Sequence, residues 1–378
     1  MKANAKYVPI LFFVCFLSLV VAGPSWSATY YVDVNSGTDD PAFGSGPDAG
    51  AWKTLHYAVT QLQAGDTLNV AAGTYQIDVD NPDKGEVDAA LTITKDNITI
   101  QGTTGTVLNG YPGCINWGSA FNINASGVTI RNLEITGFSC DVSDAGIRVG
   151  SGSSNHIESC TIHNNDFGIV FEDGSGNTNA VMDSLIYKND HGVIVSGASP
   201  EIRRNSIYEN RAPIEVTNAS GTIRPKIINN LIYGIVNMEY GIWISAVSTG
   251  ATVAAELYHN TIYGSTTNGI YISQEFPNAS EKIRVKFNIV SDSFIGIEIA
   301  GQTSSILDLA YNDLYGNDTS YSGVSPGAND VALDPKFVDS TGSDFHLQTT
   351  SQLLELIGAG AGDTVTTDRE GGIRPTGT

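Results

Sequence analysis

A short motif recurs along most of this chain, and no other feature restricts its fold as much. Its first half reads apolar-x-x-(Asn or small)-x-apolar, often followed by Tyr. The clearest copies are IRRNSIYEN from Ile202, INNLIYG from Ile228, LYHNTIYG from Leu257, VKFNIVSD from Val285 and LAYNDLYGN from Leu309. The second half reads Gly-Ile-x-(Ile or Val), as at Gly146, Gly168, Gly241, Gly269 and Gly296, with Gly192-Val193 and Pro213-Ile214 in the same slot. The fourth position of the first half falls at Leu133, Cys160, Ser184, Asn205, Asn230, Asn260, Asn288 and Asn312. Its intervals are 27, 24, 21, 25, 30, 28 and 24 residues. Constant motifs at variable spacing mean fixed strands joined by variable loops. Each repeat holds two or three short alternating strands and no helix-length periodic segment. One such coil cannot bury its apolar face alone, whereas stacked coils can, each strand pairing with its equivalent about 4.8 Å away. The chain is therefore expected to be all-β, a parallel β-helix with a continuous internal core.

The fourth position predicts a ladder. An Asn that points inward at every coil can pair its amide with those above and below, and satisfy backbone groups at the turn. The run from Asn205 to Asn312 reads as structural. Cys160 shares the column and is expected to be a buried, inert thiol. Cys114 and Cys140 lie in Gly/Ser-rich segments and remain available for a disulfide.

A solenoid needs covered ends. Tyr30–Val34 reads as a strand. Trp52, Leu55, Tyr57, Ala58, Val59 and Leu62 then show helical spacing, and Gly65 supplies a stop. After Asn317 the repeat fades, and Asp334–Val338 and Asp344–Leu347 look like capping strands. The expected organisation is 1–27 signal peptide, 28–90 N-terminal cap with a helix and the first coil, 91–332 β-helix repeats, and 333–378 C-terminal capping segment.

The first residues read as an address. Lys2 and Lys6 precede an apolar run from Tyr7 to Gly23, and Ser25-Trp26-Ser27 places small residues where a signal peptidase reads. Cleavage after Ser27 is expected, against the alternative of a membrane anchor. No later segment is apolar enough to span a membrane, so a secreted or cell-surface monomer is expected. The 19 basic and 40 acidic residues give a net charge of −21. That balance makes a phosphate-binding surface, and hence nucleic acid, a poor partner.

The segment YYVDVNSGTDD…WKTLHYAVTQLQAGDTLNVAAGTY, Tyr30 to Tyr75, resembles the opening of secreted right-handed β-helix proteins of the pectate-lyase-like superfamily. The coils resemble that superfamily's repeats. DPKFVDSTGSDFHLQ, Asp334 to Gln348, with TTDREGGIRP after it, resembles the C-terminal region of bacterial surface β-helix proteins. The resemblance implies a right-handed coil and a polysaccharide ligand. The superfamily holds lyases, hydrolases, epimerases and proteins without chemistry, so it does not name an activity. The paired-Asp motif of polygalacturonase-like hydrolases is absent from the sequence, and Asp190-His191-Gly192 only faintly echoes their Gly-His-Gly.

Stacking turns sequence columns into surface rows. One row holds Asp166, Asp190 and Arg211. Asn164, Lys188 and Glu209 lie two residues earlier, and His163 and His191 flank the set. As a uronate-cleaving site, Asp166 and Asp190 would hold Ca²⁺, a hard ion that suits carboxylates. Arg211 or Lys188 would take the proton from the carbon beside the sugar carboxylate. The plainer reading is a solvated row of ion pairs. Trp243 and Tyr271 occupy the outward position of consecutive Gly-Ile-x-Ile strands and, with His191, would bind the sugar. The column Tyr187, Tyr208, Tyr233, Tyr263 and Tyr315 reads as structural stacking. Asp78, Asp80, Asp83, Glu86 and Asp88 crowd one acidic loop, where a structural Ca²⁺ is the alternative to plain solvation. Two functions follow. One is an exported protein that binds, and in the stronger version cleaves, an extracellular polysaccharide as a lyase or hydrolase. The other is a non-catalytic surface or adhesion protein.

Overall fold

The computed structural model describes residues 27–77, 90–110, 118–139, 144–234, 238–246, 248–301, 303–353 and 365–372. Residues 1–26 (nearly all of the expected signal peptide), Cys114, Cys140 and the acidic loop from Asp78 to Asp88 lie outside these residues.

Three long sheets of eleven, ten and ten strands wrap one apolar interior. Sheet A runs from Thr29–Val32 to Leu307–Ala310, sheet B from Gly73–Gln76 to Asp313–Tyr315, and sheet C from Leu91–Ile93 to Thr319–Ser322. Each coil adds one strand to each sheet. In a central coil these are Glu201–Arg203, Ser206–Tyr208 and Ala212–Thr217. Every pairing within the three sheets is parallel and joins strands one coil apart, as with Ile186↔Ile207 and Ile214↔Ile242.

The alternating pattern decides which side chains go in. Ile157, Val181, Ile202, Ile227, Leu257 and Val285 form the sheet A row of the core, all fully buried. Ile162, Ile186, Ile207, Ile232 and Ile262 do the same for sheet B, and Ile169, Val193, Ile214, Ile242 and Ile270 for sheet C. The Gly of Gly-Ile-x-Ile has a steric cause: a Cβ on Gly192 would lie 2.4 Å from the Pro213 carbonyl, and one on Gly241 would lie 2.5 Å from the Gly269 carbonyl.

The expected asparagine ladder is present. The Asn205 backbone N–H and Nδ2 both donate to Asn230 Oδ1, at 3.1 and 3.0 Å. The same double bond joins Asn230 to Asn260, Asn260 to Asn288 and Asn288 to Asn312. Asp330 closes the column by accepting from Asn312 N at 2.7 Å. Cys160 lies in the column, buried, and burial pushes its thiol up to about 12. A second ladder, Asn165–Asn189–Asn210, stands between sheets B and C.

At the N-terminal end a helix, α1 (Leu55–Gln61), starts from Thr54, whose hydroxyl accepts from Tyr57 N at 3.2 Å. Leu55 and Ala58 face the core, and Trp52 stacks on Tyr30 at 4.8 Å. At the other end the strands Phe337–Asp339 and Asp344–Leu347 form an antiparallel pair over sheet B. The first three rings of the tyrosine column stack as expected, Tyr187 on Tyr208 at 4.8 Å and Tyr208 on Tyr233 at 5.0 Å. Phe345 of the hairpin then packs on both Tyr233 and Tyr263. Among the described residues no helix is long and apolar enough to cross a membrane.

Candidate functional site

Sheet C presents its outward side chains as rows along the solenoid. One row pairs Ile194, Glu215, Trp243, Tyr271 and Glu298 on successive coils. A parallel row at the strand starts holds Phe167, His191 and Ala212. The extended Gly-x step brings the two rows into contact. His191 Nδ1 lies 2.8 Å from Glu215 Oε2, each side chain only 14% exposed.

Arg211, at the entry to the same strand as Glu215, ties this pair to the edge. Its Nε and Nη2 donate to the two oxygens of Asp190 at 2.6 and 2.9 Å. Its Nη1 donates to Glu239 Oε2 at 3.0 Å, and its Nη2 lies 2.8 Å from His191 Nε2. A guanidinium can only donate, so that short contact requires a lone pair on His191 Nε2. The proton of a neutral imidazole is then on Nδ1, which lies close to the Glu215 carboxylate but is buried without a hydrogen-bond partner, so the contact is one of charge and not a formed hydrogen bond. The Asp190 carboxylate lies 3.3 Å from the same Nε2 and would prefer it protonated; the shorter Arg211 contact decides the tautomer. Hydrogen bonding to Arg211 holds the Asp190 carboxyl below its ordinary value. Hydrogen bonding to Asp190 holds Arg211 above its own.

Aromatic rings adjoin the dyad on the next coils. Trp243 follows Glu215 in register, and Tyr271 follows Trp243. Tyr240 stacks on Trp243 at 5.6 Å and reaches Tyr271 at 5.9 Å. On the other side Phe167 meets His191 edge-on at 5.2 Å. The arrangement offers flat apolar faces beside an oriented imidazole, which suits a sugar ring lying along the sheet.

The structure thus brings together five residues the sequence had singled out: Asp190, His191, Arg211, Trp243 and Tyr271. Their roles change. Arg211 is held charged by two carboxylates, so it suits orienting the imidazole or an anionic group and does not fit the expected proton acceptor. Lys188 sits elsewhere. Its residue takes a left-handed turn conformation at φ 55°, its ammonium lies 3.6 Å from Glu209, and it covers the Tyr187 ring at the edge of sheet B. Asp166 stacks one coil before Asp190, with its carbonyl accepting from His191 N at 3.0 Å. Both Asp190 oxygens accept from Arg211, and among the described residues Asp166 and Asp190 belong to no group of three or more His, Cys, Asp or Glu placed to hold a metal ion.

Glu215, Glu239 and Tyr240 were missed. Glu215 had a visible signal, since it fills the outward slot of Pro213-Ile214-Glu215-Val216, the slot that marked Trp243 and Tyr271. Glu239 and Tyr240 had one too, since they stand immediately before Gly241 in the slots that Asp190 and His191 hold before Gly192.

The family description "Right handed beta helix region" matches residues 92–257. Two solved structures are similar over most of the chain. The first is pectate lyase Pel9A, at TM-score 0.62 and 16% identity, covering 93% of this chain and 96% of that one. The second is the GH136 lacto-N-biosidase from Eubacterium ramulus, at TM-score 0.51 and 13% identity, covering 81% of this chain and 68% of that one. No curated protein sequence matches. The molecule is a right-handed parallel β-helix with the pectate-lyase-like fold.

Proposed function

We propose that this is an exported protein that binds a polysaccharide along the outer face of sheet C and cleaves it with the His191–Glu215 dyad. One observation carries the reading: Tyr240, Trp243 and Tyr271 form an aromatic platform on the two coils after Glu215, beside an imidazole that touches Arg211 and lies against that carboxylate. Arg211 sets the tautomer, Glu215 is placed to stabilise positive charge on the ring, and Nε2 is the atom that accepts a proton from substrate or water. Substrate entering the face displaces the Arg211 contact and frees that lone pair. The similar solved structures are named as a pectate lyase and a lacto-N-biosidase, names of glycan-cleaving enzymes, which supports a glycan at this face.

Local charge favours an uncharged glycan. Asp190, Glu215 and Glu239 outnumber Arg211, and the whole chain carries −21. A uronate polymer would need a bridging cation such as Ca²⁺. The test is incubation of the chain with neutral and acidic polysaccharides, with Ca²⁺ and with chelator, followed by measurement of new reducing ends. Release from a neutral polymer, unaffected by chelator and lost in His191→Asn, is the expected result. A conjugated double bond in the products would mean elimination from a uronate instead. Binding without release in any arm would make the protein a non-catalytic glycan binder, the adhesion reading.

A further inference from the structure

A second site lies on a different face, where the C-terminal hairpin and residues 365–370 fold back over the turn between sheets A and B. They line a half-open cavity of about 730 Å³. Its size suits a small organic molecule. One wall is a stack of rings from three successive turns, with His259 on Phe287 at 4.9 Å and Phe287 on Tyr311 at 5.2 Å.

The charged groups of the lining divide into satisfied and unsatisfied. His346 is clamped, with Nδ1 2.5 Å from Asp344 Oδ1 and Nε2 2.8 Å from Glu370 Oε1. Arg369 donates to Glu370 at 3.2 Å and to Ser206 at 2.9 Å. Asp368 accepts the backbone N–H groups of Glu370 and Gly372. Asp313 differs. Leu314 beside it points into the core, so Asp313 faces out of sheet B toward the C-terminal segment. It is 3% exposed, and only Oδ1 has a partner, the Leu333 N–H at 2.8 Å. Oδ2 is buried with no hydrogen-bond partner. Such an atom is unfavourable unless something answers it.

We propose that this cavity binds a small organic cation, a protonated amine on a flat or apolar body, with the ammonium against Asp313 and the body against the Phe287–Tyr311 wall. Three observations select that class. Four lining carboxylates, Asp313, Asp344, Asp368 and Glu370, face two lining cations, His346 and Arg369, so an anion is disfavoured. The described residues offer no three-ligand set for a metal. An aromatic wall beside a carboxylate is the environment that ammonium groups seek.

The test is calorimetric titration of the full chain with matched pairs: benzylamine and benzyl alcohol, cyclohexylamine and cyclohexanol, 1-aminopentane and 1-pentanol. The expected result is at least tenfold tighter binding of the ammonium member in at least one pair. Asp313→Asn, which keeps the side-chain shape, should abolish that preference with the circular dichroism spectrum unchanged. Equal binding of both members in every pair, or a preference that survives in Asp313→Asn, overturns the proposal. Because the sheet C face is not probed, failure here leaves the glycan reading standing, and failure of that reading leaves this one standing.

Discussion

His191 and Glu215 come from neighbouring coils, yet their side chains meet at 2.8 Å between Nδ1 and Oε2. A carboxylate so close stabilises positive charge gained by the imidazole, while the Arg211 contact at Nε2 sets which nitrogen keeps the proton. Replacing His191 by Asn should lower any glycan-cleaving rate by about 10²–10⁴-fold, the usual range for a general acid–base group. Glu215→Gln should lower it less, by removing the charge that stabilises a protonated imidazole. Glycan affinity should stay within a few-fold in both, measured by affinity electrophoresis.

Trp243→Ala tests the platform from the other side. Removing the ring should weaken glycan binding by about tenfold, in line with the roughly 0.5–1.5 kcal/mol that aromatic contacts add. Unchanged affinity in Trp243→Ala and in Tyr271→Ala would move the binding face away from sheet C.

The Asp190–Arg211 pair predicts a pH dependence. Its carboxyl is held low by Arg211, so the folded value lies below the unfolded one. Its stabilisation is present above about pH 4 and fades as pH falls through the folded value. Both side chains are about two-fifths exposed, so the pair is worth about 1 kcal/mol or less. Asp190→Asn should melt slightly lower than the parent at pH 7 and at the same temperature near pH 2, read by thermal denaturation.

Asp313 predicts the opposite sign. Burial pushes its carboxyl up from an ordinary 3.8 to about 7. A group raised on folding contributes fully below its unfolded value and loses that contribution as pH rises through the folded one. The parent should therefore lose stability between about pH 4 and 7, by an amount on the order of a few kcal/mol, while Asp313→Asn should not. Parallel pH–stability curves for the two would contradict this.

The ladder predicts a stability effect without chemistry. Asn260 accepts from Asn230 N and Nδ2 and donates to the Ile227 carbonyl and to Asn288. Asn260→Ala strands several buried polar groups at once, at a cost of about 3 kcal/mol. The unfolding midpoint in urea should fall accordingly.

Much of this was legible in one dimension because a solenoid is nearly one-dimensional. Each coil touches its neighbours, so a column in the sequence is a row in space. The Asn205–Asn312 ladder, the inward isoleucines, the tyrosine stack and the buried Cys160 all follow from spacing alone. Glu239 and Tyr240 belong to the same rows, since they precede Gly241 as Asp190 and His191 precede Gly192; spacing did not show that Glu239 would reach Arg211 or that Tyr240 would stack on Trp243.

The sequence by itself determined the repeat, the all-β class, the core and the presence of outward aromatic and ionisable rows. Local period and close packing settle these whatever the rest of the chain does. The tertiary structure decided how charges on those rows pair. It spent Arg211 on Asp190 and Glu239, carried Lys188 to the Tyr187 edge, and joined His191 to Glu215. It also folded the C-terminal hairpin over sheet B to enclose Asp313. Such pairings depend on side-chain directions and on contacts between segments far apart in the chain, and a hydropathy pattern carries neither.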